Sequence, residues 1–461
     1  MLNEKEFHVA AYCPPNPAEK GKISQICDEQ YERIRDVGID LVYGHNEAIG
    51  GECEHETFTA LKLCERYGLK YLVKDGIYKR FTAQRSDCFK VFRKLNEQEK
   101  RKLCEEYKAS LERYKDYASF GGVEFIDEPG YEMFEGIRYA KDVFDKNCPG
   151  SLFYVNMLPY WTLCAQMQYG MDYPFFKKKN DALYAEPKQC RYAFYLRSFL
   201  QTVKPQVLSY DAYPILTLGA EKTMIHVALY DHLRIVSALA KEYGIPFWNF
   251  IQAGGKWEGC PNIRVPTEAE IALQINVSLA YGASGIQIFP YAYPNDWSED
   301  SVACAGLIGR EGEKTTLYGI FKRRIADAKY FGNKLIGMTP LFVSVSGEFS
   351  GGLSPYEERL KIRDHDCIFE GNLPYKRIEG IKQIISDSQV LIGVFGDGKK
   401  TALFIVNNST QKETSVRIIF EYPVSLEYFL SGTERHYQTD RSDDIRLNPG
   451  EAFLLAFGRA Q

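Results

Sequence analysis

The sequence predicts an α/β protein in which a parallel (β/α)8 barrel is followed by an antiparallel β-sandwich. Over the first 330 or so residues, short apolar runs alternate with longer amphipathic segments, and eight such units follow one another. Strand–helix alternation selects a parallel sheet, and eight units are the count of a closed barrel. A doubly wound open sheet is the alternative, but eight units in order favour closure. We therefore predict a barrel over residues 1–335 and a sandwich over residues 336–461.

The predicted barrel strands are the eight apolar runs. They are Phe7–Tyr12, Gly38–Tyr43, Leu69–Val73, Val123–Ile126, Leu152–Asn156, Val207–Tyr210, Pro246–Ile251 and Gly285–Phe289. The helix-period segments between and after them are Ser24–Val37, His55–Tyr67, Glu97–Tyr117, Tyr131–Phe144, Gln189–Val203, Ala220–Tyr243, Thr267–Tyr281 and Thr315–Phe331. Two of these helices should stop at glycines in the left-handed conformation, Gly68 and Gly244. Thr267 and Glu270 form a capping box that starts the seventh barrel helix.

Beyond residue 335 the helical period almost disappears. Short β-rich runs remain, separated by Gly, Asn, Pro and Asp clusters, and Gly393–Lys399 between two of them has the composition of a hairpin. The runs are Leu341–Val345, Val390–Phe395, Thr401–Asn407, Ser415–Ile419 and Ala452–Phe457. This pattern predicts the antiparallel sandwich. The polar segment Gly347–Lys376 is expected to be a long loop or a linker.

Composition narrows the class of protein. A net charge of −4 without a basic run argues against a nucleic-acid partner, and no apolar run is long enough to span a membrane. The 12 cysteines lack Cys-x-x-Cys spacing, and the N-terminus lacks an apolar signal region, so we expect a cytoplasmic protein. Nucleotide-binding motifs, a Gly-x-Ser-x-Gly elbow and paired histidines are all missing, so we expect neither a cofactor nor a metal. The sequence leaves homo-oligomerisation open.

Polar or aromatic residues follow nearly every predicted barrel strand. The carboxyl ends of barrel strands surround one opening, so these side chains are expected to line one site. They are His45 and Asn46 after the second strand, Asp127 and Glu128 after the fourth, Asn156 at the end of the fifth, Asp211 and Tyr213 after the sixth, Gln252 after the seventh, and Tyr291 after the eighth. Trp257 and Trp297 lie in the two loops that follow, where a tryptophan ring could stack on a sugar.

The adjacent acids after the fourth strand indicate acid/base chemistry. A carboxyl group at the rim of an apolar strand is partly desolvated, which raises its pKa, so Glu128 is the predicted proton donor. The alternative is that an acid before Pro129 caps the helix starting near Tyr131. Asp211 is a second candidate carboxylate, although it could also be a turn residue.

The motifs Asp127-Glu128-Pro129 on the fourth strand and Tyr210-Asp-Ala-Tyr-Pro214 on the sixth, with a C-terminal β-sandwich, resemble a known clan. It is the clan of retaining glycoside hydrolases on (β/α)8 barrels, in its β-galactosidase-like branch with uncharacterised gut-bacterial relatives. The resemblance implies a carbohydrate substrate and assigns Glu128 as the acid/base, with Asp127 in place of the usual Asn. It also implies a nucleophilic Glu after the seventh strand, where this sequence has Gln252, and an amide cannot act as that nucleophile.

Three interpretations remain open. In the first, a glycoside hydrolase uses two carboxylates, Glu128 and either Asp211 or Glu258, and their separation decides between retention and inversion. In the second, Asp127 and Glu128 act as in substrate-assisted hexosaminidases, and Tyr213 helps to hold the N-acetyl group. In the third, the barrel binds a glycan without cleaving it. The first is our prediction, with Asp127, His45, Gln252 and the loop tryptophans shaping the sugar site.

Overall fold

The computed structural model describes most of the chain. The described residues are 5–18, 22–45, 47–82, 92, 95–159, 188–218, 222–225, 228–255, 262–294, 306–346, 377–430 and 433–460. The segment predicted to be a loop or linker, 347–376, lies outside them.

Eight parallel strands close into a barrel, as the alternation of strands and helices predicted. Strands are numbered along the chain, and neighbours in the barrel follow the order β1-β10-β9-β6-β5-β4-β3-β2. Their bounds are β1 His8–Ala11, β2 Leu41–Tyr43, β3 Lys70–Lys74, β4 Phe120–Asp127, β5 Leu152–Met157, β6 Leu208–Tyr210, β9 Phe247–Gln252 and β10 Gly285–Phe289. Strands β7 (Ile215–Leu218) and β8 (Lys222–Ile225) form a separate antiparallel hairpin after β6.

The helices of the described residues surround the barrel. They are α1 Asp28–Asp36, α2 Glu54–Tyr67, α3 Tyr78–Thr82, α4 Glu97–Leu111, α5 Phe134–Asn147, α6 Lys188–Val203, α7 Ala228–Tyr243, α8 Glu268–Ala280 and α9 Thr316–Leu335, with one 3₁₀ turn at Tyr131–Met133. The capping box of Thr267 and Glu270 at the start of α8 is present. The prediction that a helix begins at Ala220 was wrong, because residues 222–225 pair with β7 and helix α7 begins only at Ala228.

Side chains of the barrel strands alternate between two packed layers. Those pointing inward form a cluster inside the barrel that includes Tyr12, Tyr43, Tyr154, Trp248 and Phe250. Those pointing outward, with the inner faces of the helices, build the larger core. This alternation follows from the two-residue period of a strand, and it fills the barrel centre with aromatic side chains. Within the described part of the chain, no helix is long and apolar enough to cross a membrane.

The C-terminal strands form one eight-stranded antiparallel sheet, consistent with the predicted β-sandwich. Its strands are β11 Thr339–Ser346, β12 Ile381–Ser386, β13 Val390–Gly396, β14 Thr401–Asn407, β15 Thr414–Leu430, β16 Thr433–Arg441, β17 Ile445–Leu447 and β18 Ala452–Arg459. Side chains such as Ile392, Ile405 and Phe453 form a core within this sheet. The opposite side chains, among them Leu391 and Phe404, join the core of the barrel. The sheet is thus packed directly on the barrel layer.

Gly393 in β13 lets this sheet approach the end of helix α8. A Cβ atom built on Gly393 would lie 2.3 Å from the carbonyl oxygen of Ala280 and 2.7 Å from its Cα, and both are backbone atoms that cannot turn aside. We therefore expect Gly393→Ala to lower the free energy of unfolding by about 1–3 kcal/mol, measured by chemical denaturation, because the two layers must separate.

Gly458→Ala in β18 is the matched control. Its added Cβ would meet its nearest neighbour, the Lys399 carbonyl oxygen, at an ordinary 3.7 Å. We expect its free energy of unfolding to stay within about 0.5 kcal/mol of the parent. Equal destabilisation by the two substitutions would contradict close packing at Gly393.

Candidate active site

Two carboxylates from different strands meet at the carboxyl ends of β4, β5 and β6. Asn156 on β5 lies beside Asp127 on β4 and beside Ser209 on β6 in the parallel register. Its side-chain nitrogen Nδ2 donates to Oδ1 of Asp127 at 3.0 Å and to Oδ1 of Asp211 at 2.8 Å. The two carboxylates therefore lie no more than two hydrogen-bond lengths apart. The predicted convergence of Asp127, Asn156 and Asp211 is present in the structure.

Asp127 and Asp211 differ sharply in exposure. Asp127 is exposed, whereas Asp211 is only 6% exposed. Burial raises the pKa of Asp211 to about 7, and the nearby charge of Asp127 adds to this effect, although hydrogen bonds from Asn156 and Tyr213 oppose it. A carboxyl group that titrates near neutral pH is suited to exchanging protons in catalysis.

Glu128 lies next to this pair, on a constrained backbone. Its φ angle of 49° falls in the left-handed region, which is uncommon for a residue with a side chain and is found often at functional sites. Its N–H donates to the Asn156 carbonyl at 2.9 Å, and the Tyr195 hydroxyl donates to the carbonyl of Pro129 at 2.6 Å. The half-buried Glu128 is thus held at the end of β4 by contacts on both sides.

Neither Asp127 nor Glu128 occupies the N-cap position of the helical segments that follow. The 3₁₀ turn that follows starts after Gly130, and α5 starts after Met133; neither start has a side-chain cap. The charges of Asp211, Asp127 and Glu128 instead act on Tyr213, whose pKa is raised first by burial and then by these three groups. All three acids therefore lie close enough to Tyr213 to influence its hydroxyl.

A buried ion pair, which the sequence analysis missed, lies within the barrel below the strand ends. Lys74 Nζ at the end of β3 is 2.7 Å from Glu124 Oε2, and the Tyr12 hydroxyl is 3.4 Å from Glu124 Oε1. Burial raises the pKa of Glu124 to about 7, against the opposing effect of Lys74. Burial alone would lower the pKa of Lys74, but the charge of Glu124 outweighs it and the pKa lies above its ordinary value. An acid inside an apolar strand was the only sequence signal for this pair.

Aromatic rings from other strand ends lie beside the acids. The Phe289 ring centre is 5.0 Å from that of Tyr213 and 5.8 Å from that of Tyr12, and the predicted site residue His45 lies 6.4 Å from Tyr12. Phe289, Tyr213 and His45 are each half-buried, and Phe289 and Tyr213 pack against the cluster inside the barrel. The opening therefore has carboxylates at the ends of β4 and β6 and half-buried aromatic residues, of which Tyr213 lies close to the acids.

The structure corrects the predicted role of Gln252. This side chain is fully buried, and its amide nitrogen donates to the carbonyls of Ile215, Gly254 and Arg264. Its oxygen accepts from the N–H of Ile215 at 2.9 Å. Because backbone groups occupy the whole amide, Gln252 ties together the loops that follow β6 and β9 and presents no free group to a substrate.

Tyr291 also lies outside the predicted site. Its ring belongs to the core between the strands and the helices, and its hydroxyl is influenced by Tyr318, Arg33 and Asp36 on the outer helices. The chain leaves β10 with this side chain pointing outward, which the position after a strand could not reveal. Four other predicted site residues, Asn46, Trp257, Glu258 and Trp297, lie outside the described residues.

In the part of the chain that the structure describes, no group of three or more His, Cys, Asp or Glu side chains is arranged to hold a metal ion.

Comparison with solved structures supports the fold. Over 99% of both chains, the protein is similar to a β-galactosidase from Bacillus circulans sp. alkalophilus, with a TM-score of 0.59 and 9% identity. It is also similar to a GH42 β-galactosidase from G. stearothermophilus, with a TM-score of 0.51 and 9% identity over 99% of this chain and 98% of that one. These similarities confirm the predicted fold, a (β/α)8 barrel followed by a C-terminal β-rich domain.

A third similarity is partial. The chain covers 63% of the length of the β-galactosidase from the psychrophilic Marinomonas ef1, with 73% of this chain aligned, a TM-score of 0.47 and 10% identity. No protein-family model and no curated protein sequence matches the chain.

The buried Asp211 predicts a pH-dependent stability. Its folded pKa of about 7 exceeds its ordinary value of 3.8, so the folded protein binds this proton more tightly than the unfolded chain does. The resulting stabilisation is fully present below about pH 4 and is lost as the pH rises through about 7. Asn at this position stays neutral at every pH. We therefore expect the free energy of unfolding of Asp211→Asn, relative to that of the parent, to rise by on the order of 2 kcal/mol from pH 5 to pH 8.

Urea unfolding of both proteins at pH 5 and pH 8 measures this difference. Asp440→Asn, at an exposed position in β16, is the control and should keep a constant difference from the parent. A constant difference for Asp211→Asn as well would show that Asp211 is ionised throughout this range.

Proposed function

We propose that the protein is a glycoside hydrolase that cleaves O-glycosidic bonds at the carboxyl ends of the barrel strands. The observation that carries the proposal is the meeting of Asp127, Glu128 and Asp211 around Asn156 and Tyr213, beside the half-buried ring of Phe289. Solved glycoside hydrolases share this fold, but one fold hosts many functions, so the residues of the site carry the proposal.

In the proposed mechanism, Glu128 and Asp211 are the two carboxyl groups that glycoside hydrolysis requires. Glu128 protonates the leaving oxygen of the glycosidic bond. Asp211 acts as the partner carboxylate, either taking a proton from the attacking water or attacking the sugar itself. A pKa of about 7 makes Asp211 more basic than an ordinary carboxylate, and about half of the molecules have it ionised at neutral pH.

Asp127 and the rings would bind the sugar. Asp127 is exposed and keeps a free carboxylate oxygen for a sugar hydroxyl, because its Oδ1 is the atom bonded to Asn156. Phe289 and Tyr213 offer ring surface on which the apolar face of a sugar can stack. We further propose a cytoplasmic protein, since Cys13, Cys53, Cys64 and Cys148 are buried free thiols.

Replacing either proposed catalytic carboxyl group should abolish most turnover. We expect Glu128→Gln and Asp211→Asn each to lower kcat/KM by about 10²–10⁴-fold, because each removes a proton transfer or an attacking group from the transition state. The assay is release of 4-nitrophenol from a panel of 4-nitrophenyl glycosides, with parental turnover established first.

Asp440→Asn is again the control and should leave kcat/KM unchanged. Unchanged turnover in Glu128→Gln, on a substrate that the parent cleaves, would remove Glu128 from the acid role. If the parent binds sugars saturably but cleaves none, the protein is a glycan-binding barrel and the hydrolase proposal fails.

One observation favours a second candidate, a substrate-assisted hexosaminidase. Among the described residues, β9 ends on Gln252, whose amide is occupied by backbone groups, and residues 253–255 after it carry no carboxylate. In a substrate-assisted reaction the N-acetyl group of the sugar attacks its own anomeric carbon, so no such carboxylate is needed. Asp127 would then orient the N-acetyl group, and Glu128 would remain the acid.

Substrate choice separates the two candidates. A substrate-assisted enzyme should cleave 4-nitrophenyl N-acetylglucosaminide or N-acetylgalactosaminide at least about 100-fold faster than the matching glycoside with a 2-hydroxyl group, which lacks the internal nucleophile. Comparable rates on the two sugars of a pair would exclude substrate assistance and leave the mechanism with two carboxylates.

A further inference from the structure

A chain of buried polar side chains crosses the inside of the barrel and ends at Asn156. The Tyr43 hydroxyl on β2 bonds to Gln287 Oε1 on β10. Gln287 Nε2 bonds to Ser209 Oγ on β6 at 2.8 Å, and Ser209 Oγ bonds to Asn156 Oδ1 at 3.1 Å. The Tyr154 hydroxyl on β5 contacts both Gln287 Oε1 and Ser209 Oγ. All of these side chains are buried, so water does not compete for their hydrogen bonds.

The chemistry of the groups gives this chain a direction. An amide nitrogen only donates, so Gln287 Nε2 must donate to Ser209 Oγ, while Gln287 Oε1 accepts from the tyrosines. Ser209 has one hydrogen, which it can then donate to Asn156 Oδ1. When Oδ1 accepts this hydrogen bond, the Nδ2 atom of Asn156 faces Asp127 and Asp211. Its two hydrogens then donate to the two carboxylates.

We propose that Ser209 and Gln287 are positioning residues, which fix the side-chain amide of Asn156 so that it donates to Asp127 and Asp211 together. Their importance for catalysis rests on the proposed function, but the coupling itself is a property of the folded protein. No pattern in the sequence marked either residue, because both lie within strands.

The opposite orientation of Asn156 would be unfavourable. Its oxygen would face two carboxylate oxygens, and its nitrogen would face a serine hydroxyl that already accepts from Gln287. Without the Ser209 hydroxyl, this constraint on the amide is lost, and Asp211 loses part of the hydrogen bonding that favours its charged form. The pKa of Asp211 should therefore depend on the Ser209 hydroxyl, because Asn156 is hydrogen-bonded to both side chains.

Other titratable groups near Asp211 come from several elements. Those that interact with it electrostatically are Asp127 on β4, Tyr210 and Tyr213 at the end of β6, and Tyr192 and Tyr195 on α6; His232 on α7 stacks on Tyr210. None of them bonds to Ser209 in the chain just described, so a substitution at Ser209 tests the route through Asn156.

The test is the titration of Asp211 in the full-length protein, followed by NMR of ¹³C-labelled aspartate carboxyl groups. The signal of Asp211 is the one that disappears in Asp211→Asn. In Ser209→Ala we expect its midpoint to move upward by roughly one pH unit, because a hydrogen bond to the charged form is weakened. Ser209→Thr keeps the hydroxyl and should titrate as the parent does.

Ser278→Ala is the matched control. Ser278 on α8 is also a fully buried serine, and its Oγ accepts from an asparagine, Asn249, at 2.8 Å, but this pair has no link to the acids. We expect it to leave the midpoint of Asp211 unchanged. An unchanged midpoint in a folded Ser209→Ala, or an equal shift in Ser278→Ala, would overturn the proposal.

A second substitution keeps the proposal testable if Ser209→Ala does not fold. Tyr43→Phe removes the donor at the far end of the hydrogen-bonded chain. It should move the Asp211 midpoint in the same direction by a smaller amount, because Tyr154 still contacts Gln287. No shift would overturn the proposal. The titration does not depend on turnover, so absence of glycosidase activity would reject the proposed function while leaving this test decisive.

Discussion

The candidate site depends on the two hydrogen bonds that the Asn156 side chain donates to Asp127 and Asp211. Two carboxylates at this separation repel each other when both are charged, and one of them is buried. A single amide that donates to both reduces this cost and also fixes their relative position. The closed barrel makes the arrangement available, since β4, β5 and β6 are parallel neighbours whose ends reach the same level.

Several buried polar side chains inside the barrel are paired with one another. Lys74 compensates the buried charge of Glu124, and the Tyr43–Gln287–Ser209 chain supplies a hydrogen bond to Asn156 from below. Buried networks of this kind are costly when incomplete and rigid when satisfied. The rigidity is useful at a site where carboxyl groups must keep their positions, and the strained backbone of Glu128 is held by the same surroundings.

The site departs from the pattern of the clan that the fold resembles. The end of the seventh barrel strand carries Gln252, which serves the backbone of the neighbouring loops. Among the described residues, the acids of the candidate site lie at the ends of the fourth and sixth barrel strands, and the raised pKa of Asp211 is caused first by burial. Proteins that share a barrel fold can therefore carry their catalytic residues on different strands, and only the contacts of each side chain show which strands these are.

The sequence by itself determined the order of strands and helices in the barrel, the change to a β-rich region after residue 335, and the acids Asp127, Glu128 and Asp211 as candidates. These follow from local signals, namely apolar period, chain-breaking residues and polar groups at strand ends. Only the tertiary structure decided that Tyr291 points outward, that Gln252 is occupied by backbone, that Lys74 pairs with Glu124, and that Asn156 joins two acids. The physical reason is that such contacts join residues far apart in the chain, and they exist only once barrel closure sets the register of neighbouring strands.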